Sequence, residues 1–178
     1  ESARVMISHP CRMRVLYLFA GVKRRSDMGD ALTQALLECF GQRGQNPPDL
    51  SMEEIDTMRG GRCHNLLDHD ISANYLSRIS EGCFDVVIVA PPCNTYTRAV
   101  FANRRGPRPV RDLHWPDGFP WLEPDRRQLA DEGTELVELA LDCLARAAES
   151  ASTRGLLEHP EDLGTAALGD PASIWQRP

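Results

Sequence analysis

The chain has 178 residues, 42% of them hydrophobic and 26% charged, which is ordinary for a globular protein and enough for one domain with a real core. A formal net charge of -6 excludes a globally basic nucleic-acid binder, so a nucleic-acid partner would need a local basic patch. No apolar run approaches the ~20 residues needed to span a bilayer and no signal-peptide pattern opens the chain, so no membrane partner is expected.

After a lead-in, residues 13–20 are apolar and β-prone and predict a first strand ending at Gly21. Residues 27–40 set Met28, Ala31, Leu32, Ala35, Leu36 and Cys39 at helical spacing, with Asp27 as N-cap and Gly41 as the stop. Residues 50–55 predict a short strand that runs into the acidic cluster Glu53, Glu54 and Asp56. Beyond Gly60 and Gly61, residues 63–67 predict a third short strand closing on Asp68, His69, Asp70 and Ile71. Residues 72–79 read as a helix, with Ser72 as its cap and Gly82 past its end.

Residues 84–97 organise the chain. They open as a β-branched apolar run suited to a strand buried on both faces, then stop at Pro91 and Pro92, which cannot continue a central strand. Cys93 follows at once, so a thiol stands at the carboxyl end of a central strand, where open α/β sheets bind ligands. Residues 98–124 are rich in Pro, Gly, Arg and Trp without a period, as long functional or disordered loops are. Pro124 starts a long helix over 125–152, with Leu129, Gly133, Leu136, Val137, Ala140, Leu141, Leu144 and Ala148 on one face. Residues 155–159 predict a last strand ended by Pro160, and in the tail residues 172–175 (Ala-Ser-Ile-Trp) are able to dock as a hydrophobic anchor.

Strands alternating with helices imply an α/β fold, three-layered and doubly wound, with a mostly parallel sheet and helices on both faces. Gly21, Glu54, Asp70, Cys93 and Glu158 all fall at expected strand ends, which points to one functional cleft. A carboxylate such as Glu54 suits paired ribose hydroxyls, and Asp70 suits an exocyclic amine between the apolar walls Ile55 and Ile71. Glu158 could hold a base edge beside Cys93, with His159 the rival acid or base. The six cysteines form no C-x-x-C pair and no short Cys/His spacing, which argues against structural zinc or a disulfide framework and for a reducing, intracellular compartment.

Leu-Phe-Ala-Gly at 18–21, Glu-Ile-Asp at 54–56, Asp-Ile at 70–71, Pro-Pro-Cys at 91–93 and Glu158 after a strand occur in an order that resembles the cytosine-5 DNA methyltransferases. The resemblance covers about residues 13–160 and implies a seven-stranded, Rossmann-like methyltransferase fold that binds S-adenosyl-L-methionine. It implies that Phe19, Ala20 and Gly21 border the cofactor's methionine half, that Glu54 binds its ribose, and that Ile55, Ile71 and Asp70 hold its adenine. Pro91 and Pro92 are counted with the cofactor-binding residues, Pro92 would also shape the loop that presents Cys93 to carbon 6 of a flipped-out cytosine, and Glu158 would hold that base's Watson–Crick edge. Arg98, Arg104, Arg105, Arg108 and Arg111, with Trp115 and Trp121, would form a DNA-facing loop, with RNA the other candidate substrate.

Departures from the family pattern are specific. Val22, Lys23, Arg24 and Arg25 stand where more glycine is expected, Asn94 where Gln is usual, and Glu-His-Pro at 158–160 replaces Glu-Asn-Val. The family's Gln-x-Arg-x-Arg motif and target recognition domain are not found, so residues 1–178 are expected to form a single, truncated catalytic domain. It would divide into a cofactor half (12–97), an active-site loop (98–124) and a final helix, strand and tail (125–178), with target recognition from a separate chain or missing segment. The alternative is a non-catalytic methyltransferase-like domain that binds nucleotide, nucleic acid or a partner protein, such as a piece of a mobile-element or phage polyprotein. A third is another cysteine-dependent α/β enzyme acting on a nucleoside.

Overall fold

The structure is a computed structural model and describes residues 11–102, 105–162 and 164–176. Four strands, β1 (Arg12–Leu18), β2 (Asp49–Ile55), β3 (Val86–Val89) and β4 (Arg154–Leu157), form one all-parallel sheet in the order β2-β1-β3-β4. Helix α1 (Met28–Gly41) links β1 to β2. A single turn, α2 (Thr57–Gly60), and α3 (His69–Ser80) separate β2 from β3, and α4 (Pro124–Glu149) separates β3 from β4.

The chain leaves β1 toward β2 on one side and returns to β3 on the other, so β1 and β3 flank the point where the winding reverses. Right-handed crossovers then put α1 on one face and α3 and α4 on the other. The register agrees. Leu16 and Leu18 lie beside Val87 and Val89, and all four are buried with Tyr75 and Ile79 of α3 and Ala140, Cys143 and Ala147 of α4. Val15 and Tyr17 turn the other way with Met52, whose sulfur lies 3.4 Å from where a Cβ on Gly29 of α1 would stand. The chain is thus an α/β protein with helices on both faces, compatible with a Rossmann-like fold. Among the described residues no helix is long and apolar enough to cross a membrane.

The two faces are packed unequally. Helix α4 turns Ala130, Gly133, Val137, Ala140, Cys143 and Ala147 inward, small residues that let it lie close to the sheet. Gly155 of β4 continues that close approach: a Cβ there would stand 2.8 Å from Leu144 Cδ2. By contrast α1, capped by the Asp27 carboxylate on the amides of Gly29 and Asp30, fully buries no residue. Its contact side is the half-buried Met28, Leu32, Leu36 and Phe40, while Ala31, Ala35 and Cys39 of the expected stripe face solvent.

Several expectations are corrected. Residues 63–67 are not a strand: Gly61–His64 form a 3₁₀ turn, with Gly61 at φ 57, and the Asn65 side chain then accepts from the Leu67 amide. Two polar residues and a local Asx bond leave no alternation for a strand to use. The sheet of the described residues therefore has four strands where the family fold implies seven. Helix α3 starts at His69 under an Asp68 cap rather than at Ser72, and Ala148 and Leu129 of α4 are exposed. The expected tail anchor at 172–175 does dock, through Ala172 and Ile174 buried against Tyr96 and Val137, while Trp175 is exposed and donates its indole N–H to Pro160 O at 2.8 Å.

Glu53 faces α3, where Arg78 donates to its two oxygens at 2.9 and 2.6 Å and the Tyr75 hydroxyl donates at 3.1 Å. The Arg78 guanidinium holds the Glu53 carboxyl below its ordinary range. With the folded-state pKa depressed, this pair's stability is present above the unfolded value of about 4.3 and is lost as pH falls through the folded one. Urea midpoints measured from pH 7 downward should drop through that acid window, and Glu53→Gln should flatten the drop. An identical acid limb in the variant would refute the assignment.

Candidate functional site

A cleft of about 590 Å³ opens at the carboxyl ends of β1, β3 and β4, at the point where the winding reverses. Its floor and walls are Phe19, Ala20, Gly21, Pro91, Pro92, Cys93 and Glu158, with Tyr17 beneath and the start of α1 on one flank. Seven of the site residues expected from the sequence, from three strand ends, are thereby brought together. The size suits a nucleotide-sized ligand.

The β1 end is shaped by a tight turn. Phe19 takes φ 64, unusual for an aromatic residue, because its amide and that of Ala20 both donate to Ile55 O, at 2.8 and 3.1 Å. Gly21 repeats φ 64, and nothing lies within 4 Å of where its Cβ would be, so a ligand can approach this backbone closely. Its amide donates to Asp56 Oδ2 at 2.9 Å, fixing the loop to the end of β2.

On the opposite wall, Pro91 is buried and Pro92 exposed, and Cys93 is half-exposed to the cleft. The Tyr96 amide donates to Cys93 O at 3.0 Å, which turns the chain back after the thiol. Cys143, in contrast, is buried in the core, and desolvation pushes its thiol up to about 12, so it stays protonated and inert. Glu158 is exposed, its amide donating to Val89 O at 2.9 Å, which sets it one step beyond β4 beside the cysteine strand. Burial pushes the Tyr17 hydroxyl up, and the Glu158 carboxylate adds to the shift.

His159 turns away from the cleft. It is buried edge-on to Tyr96 with ring centroids 6.0 Å apart, and burial lowers its pKa, so it is neutral near pH 7 and serves packing.

The other expected cofactor residues do not line the cleft. Ile55 is 2% exposed and pairs with Leu18, so it points into the α3–α4 core, and Ile71 packs on the same cluster. Asp70 is exposed in the first turn of α3, where a carboxylate is favoured by the helix dipole. Glu54 lies within β2 on the α1 face and is gripped by Arg59, whose Nη1 donates to its Oε2 at 2.5 Å, with Lys23 Nζ at 3.6 Å. Arg59 also donates to Gly21 O at 2.7 Å and Ala20 O at 3.3 Å. Glu54 Oε1 is buried and has no hydrogen-bond partner among the described residues.

The loop expected to face DNA is largely strapped down. Arg126 and Arg127 of α4 donate to the carbonyls of Pro109 and Phe119, and Phe101 and Val110 are buried. Arg111 is corrected outright: it is fully buried and donates to Tyr96 Oη, Pro116 O, Thr134 Oγ1 and Ala130 O, so it cannot reach a phosphate. Arg98, Arg105 and Arg108 are exposed, and Arg104 lies outside the described residues. Trp121 is 68% exposed and stacks on Phe119 at 5.1 Å, with Arg108 lining the same groove, which is separate from the Cys93 cleft.

Sequence reasoning missed Arg59 and gave Asp56, named in the acidic cluster, no role at the Gly21 turn that the two organise. The signal was present as an arginine three residues after Asp56, on one turn of helix beside the acidic cluster. It also missed Tyr17, two residues before Phe19 on the outward-alternating face of β1. Compared with known proteins, the chain matches no family model, no curated protein and no solved structure.

Proposed function

We propose that this cleft is the catalytic centre of an S-adenosylmethionine-dependent methyltransferase acting on carbon 5 of cytosine in DNA. The observation that carries the reading is the meeting of Cys93 and Glu158, from two different strand ends, in the cleft bordered by Phe19, Ala20 and Gly21.

The residues present fit the cofactor in part. Gly21 offers an open backbone approach for its amino-acid half, and Glu54, off the cleft lining with Oε2 held by Arg59 and Oε1 buried, would reach a ribose hydroxyl only on release from Arg59. Asp70, Ile55 and Ile71 lie elsewhere and would not hold the adenine. When bound, S-adenosylmethionine supplies an electrophilic methyl group.

The protein's own residues account for making carbon 5 a nucleophile. The Cys93 thiolate adds to carbon 6 of a base taken out of the stack, and the C5–C6 π pair shifts to carbon 5. Glu158 orients the base by its Watson–Crick edge and shares a proton with ring nitrogen 3, which spreads the developing charge. Once carbon 5 carries the methyl group, its proton would pass to a water molecule and Cys93 would leave carbon 6 as the thiolate, restoring the C5–C6 double bond. Cys93 is the cysteine that lines the cleft, which places its thiol for this chemistry.

Arg59 supports a second reading. Its bonds to Glu54, Gly21 O and Ala20 O already occupy the acceptors a cofactor would use, as a non-catalytic domain of the same architecture would have them.

DNA carrying 5-fluorocytosine separates the two. With S-adenosylmethionine present, the protein should form a denaturant-stable adduct, and Cys93→Ser should abolish it completely. Glu158→Gln should slow its formation by about 10²–10⁴-fold. No adduct from the unaltered protein would overturn the enzyme reading, and no calorimetric heat with the cofactor or its demethylated product would favour the non-catalytic domain.

A further inference from the structure

The segment between β1 and α1 carries Lys23, Arg24 and Arg25, and the structure gives the three cations different roles. Lys23 is committed to carboxylates: its Nζ lies 2.9 Å from Asp27 Oδ2 and 3.6 Å from Glu54 Oε2. Arg59, the other cation on this side, is 12% exposed at its side chain and is spent on Glu54 and two backbone carbonyls. Arg24 and Arg25 are exposed, both line the cleft that holds Cys93 and Glu158, and neither has a hydrogen bond or ion pair among the described residues.

Lys23 and Arg59 are committed to Asp27 and Glu54, so on the α1 side Arg24 and Arg25 are the lining cations with no carboxylate at ion-pair distance among the described residues. Glu158 stands with Cys93 on the β3–β4 side. A ligand that fills the space must bring negative charge to the Arg24–Arg25 side and a hydrogen-bonding, uncharged edge to the Glu158 side. Paired arginines present planar forks that match phosphate oxygens two at a time, a geometry that neither lysine nor a glycine-rich turn supplies. A nucleotide within a strand has this polarity: a neutral base at one end and the anionic backbone at the other.

We propose that Arg24 and Arg25 form a phosphate clamp for the DNA strand whose cytosine enters the cleft against Cys93. The inference rests on the cytosine reading above and adds to it the element that grips the substrate. It moves the principal strand contact away from the arginine-rich segment after β3, where Arg111 is buried and the exposed Arg108 lines a different groove. It also gives a physical reason for long cationic side chains between the Gly21 turn and Asp27: they reach outward from a backbone whose inner side stays open.

The test is the salt dependence of binding of a labelled, cytosine-containing single-stranded oligodeoxynucleotide to the whole chain. Removing one arginine–phosphate pairing should make the slope of log K against log[salt] shallower by about 0.7, so Arg24→Gln with Arg25→Gln should flatten it by about 1.4. Both side chains are exposed, so the double variant should fold as the parent does. Calorimetry with the demethylated cofactor should give the same affinity in parent and double variant. An unchanged slope overturns the clamp, as does a loss of cofactor affinity with the slope retained, which would assign the arginines to the cofactor's carboxylate. The cytosine reading is judged separately by the 5-fluorocytosine adduct of the unaltered protein, so the clamp can fail while that adduct still forms.

Discussion

Arg111→Met is expected to lower the unfolding free energy by about 3–5 kcal/mol, read as the shift in urea midpoint at constant slope. The guanidinium is fully buried over the Tyr96 ring, 4.1 Å from its centroid, and donates to four acceptors from three segments. Methionine approximates the volume and returns none of the bonds, so Tyr96 Oη, Pro116 O and Thr134 Oγ1 lose a charged donor inside the protein. Gly133 shows how tight the site is: a Cβ there would stand 2.8 Å from Thr95 Oγ1 and 3.3 Å from Arg111 Nη2. Because Tyr96 follows Cys93 closely and bonds back to its carbonyl, loosening Arg111 should also disorder the thiol's wall of the cleft. A midpoint shift worth under about 1 kcal/mol would mean that these bonds contribute no more than an exposed arginine does.

Arg59→Met is expected to cost about 2–4 kcal/mol, the range for removing one partner of a nearly buried ion pair. The variant leaves Glu54 with only Lys23 at 3.6 Å and frees the carbonyls of Ala20 and Gly21. Glu54→Gln in the same background should recover part of the loss, since the carboxylate would no longer be buried without its cation. A double-mutant cycle with no coupling would show that Arg59 acts on the Gly21 turn alone. The same variant bears on function: freeing the ribose acceptor should raise affinity for S-adenosylmethionine if Arg59 blocks it, and leave affinity unchanged if Arg59 only braces the turn.

What the sequence made legible followed from strong local signals. The β-branched run before Pro91, the Asp27 cap and the small-residue face of the α4 helix each specify an element by patterning alone. The meeting of Gly21, Cys93 and Glu158 was readable because parallel strands must present their carboxyl ends to one edge. The misses share another cause. Asp70 and Ile55 were placed by rank order along the chain, yet helix α3 begins early enough to turn Asp70 to solvent, and strand parity points Ile55 inward. Arg111 looked like its neighbours Arg105 and Arg108, because composition does not reveal which arginine of a run lies under a tyrosine.

The unequal packing of the two sheet faces has a dynamic meaning. Helix α1 has no fully buried residue, whereas α4 inserts six into the core. In native-state hydrogen exchange such a helix is a unit that opens with little apolar exposure, well before the β1, β3 and α4 core. The segment bearing Arg24 and Arg25 is tied to that unit, while Cys93 and Glu158 are tied to the core. The wall tied to α1 is therefore expected to exchange its amides sooner than the wall that holds the thiol.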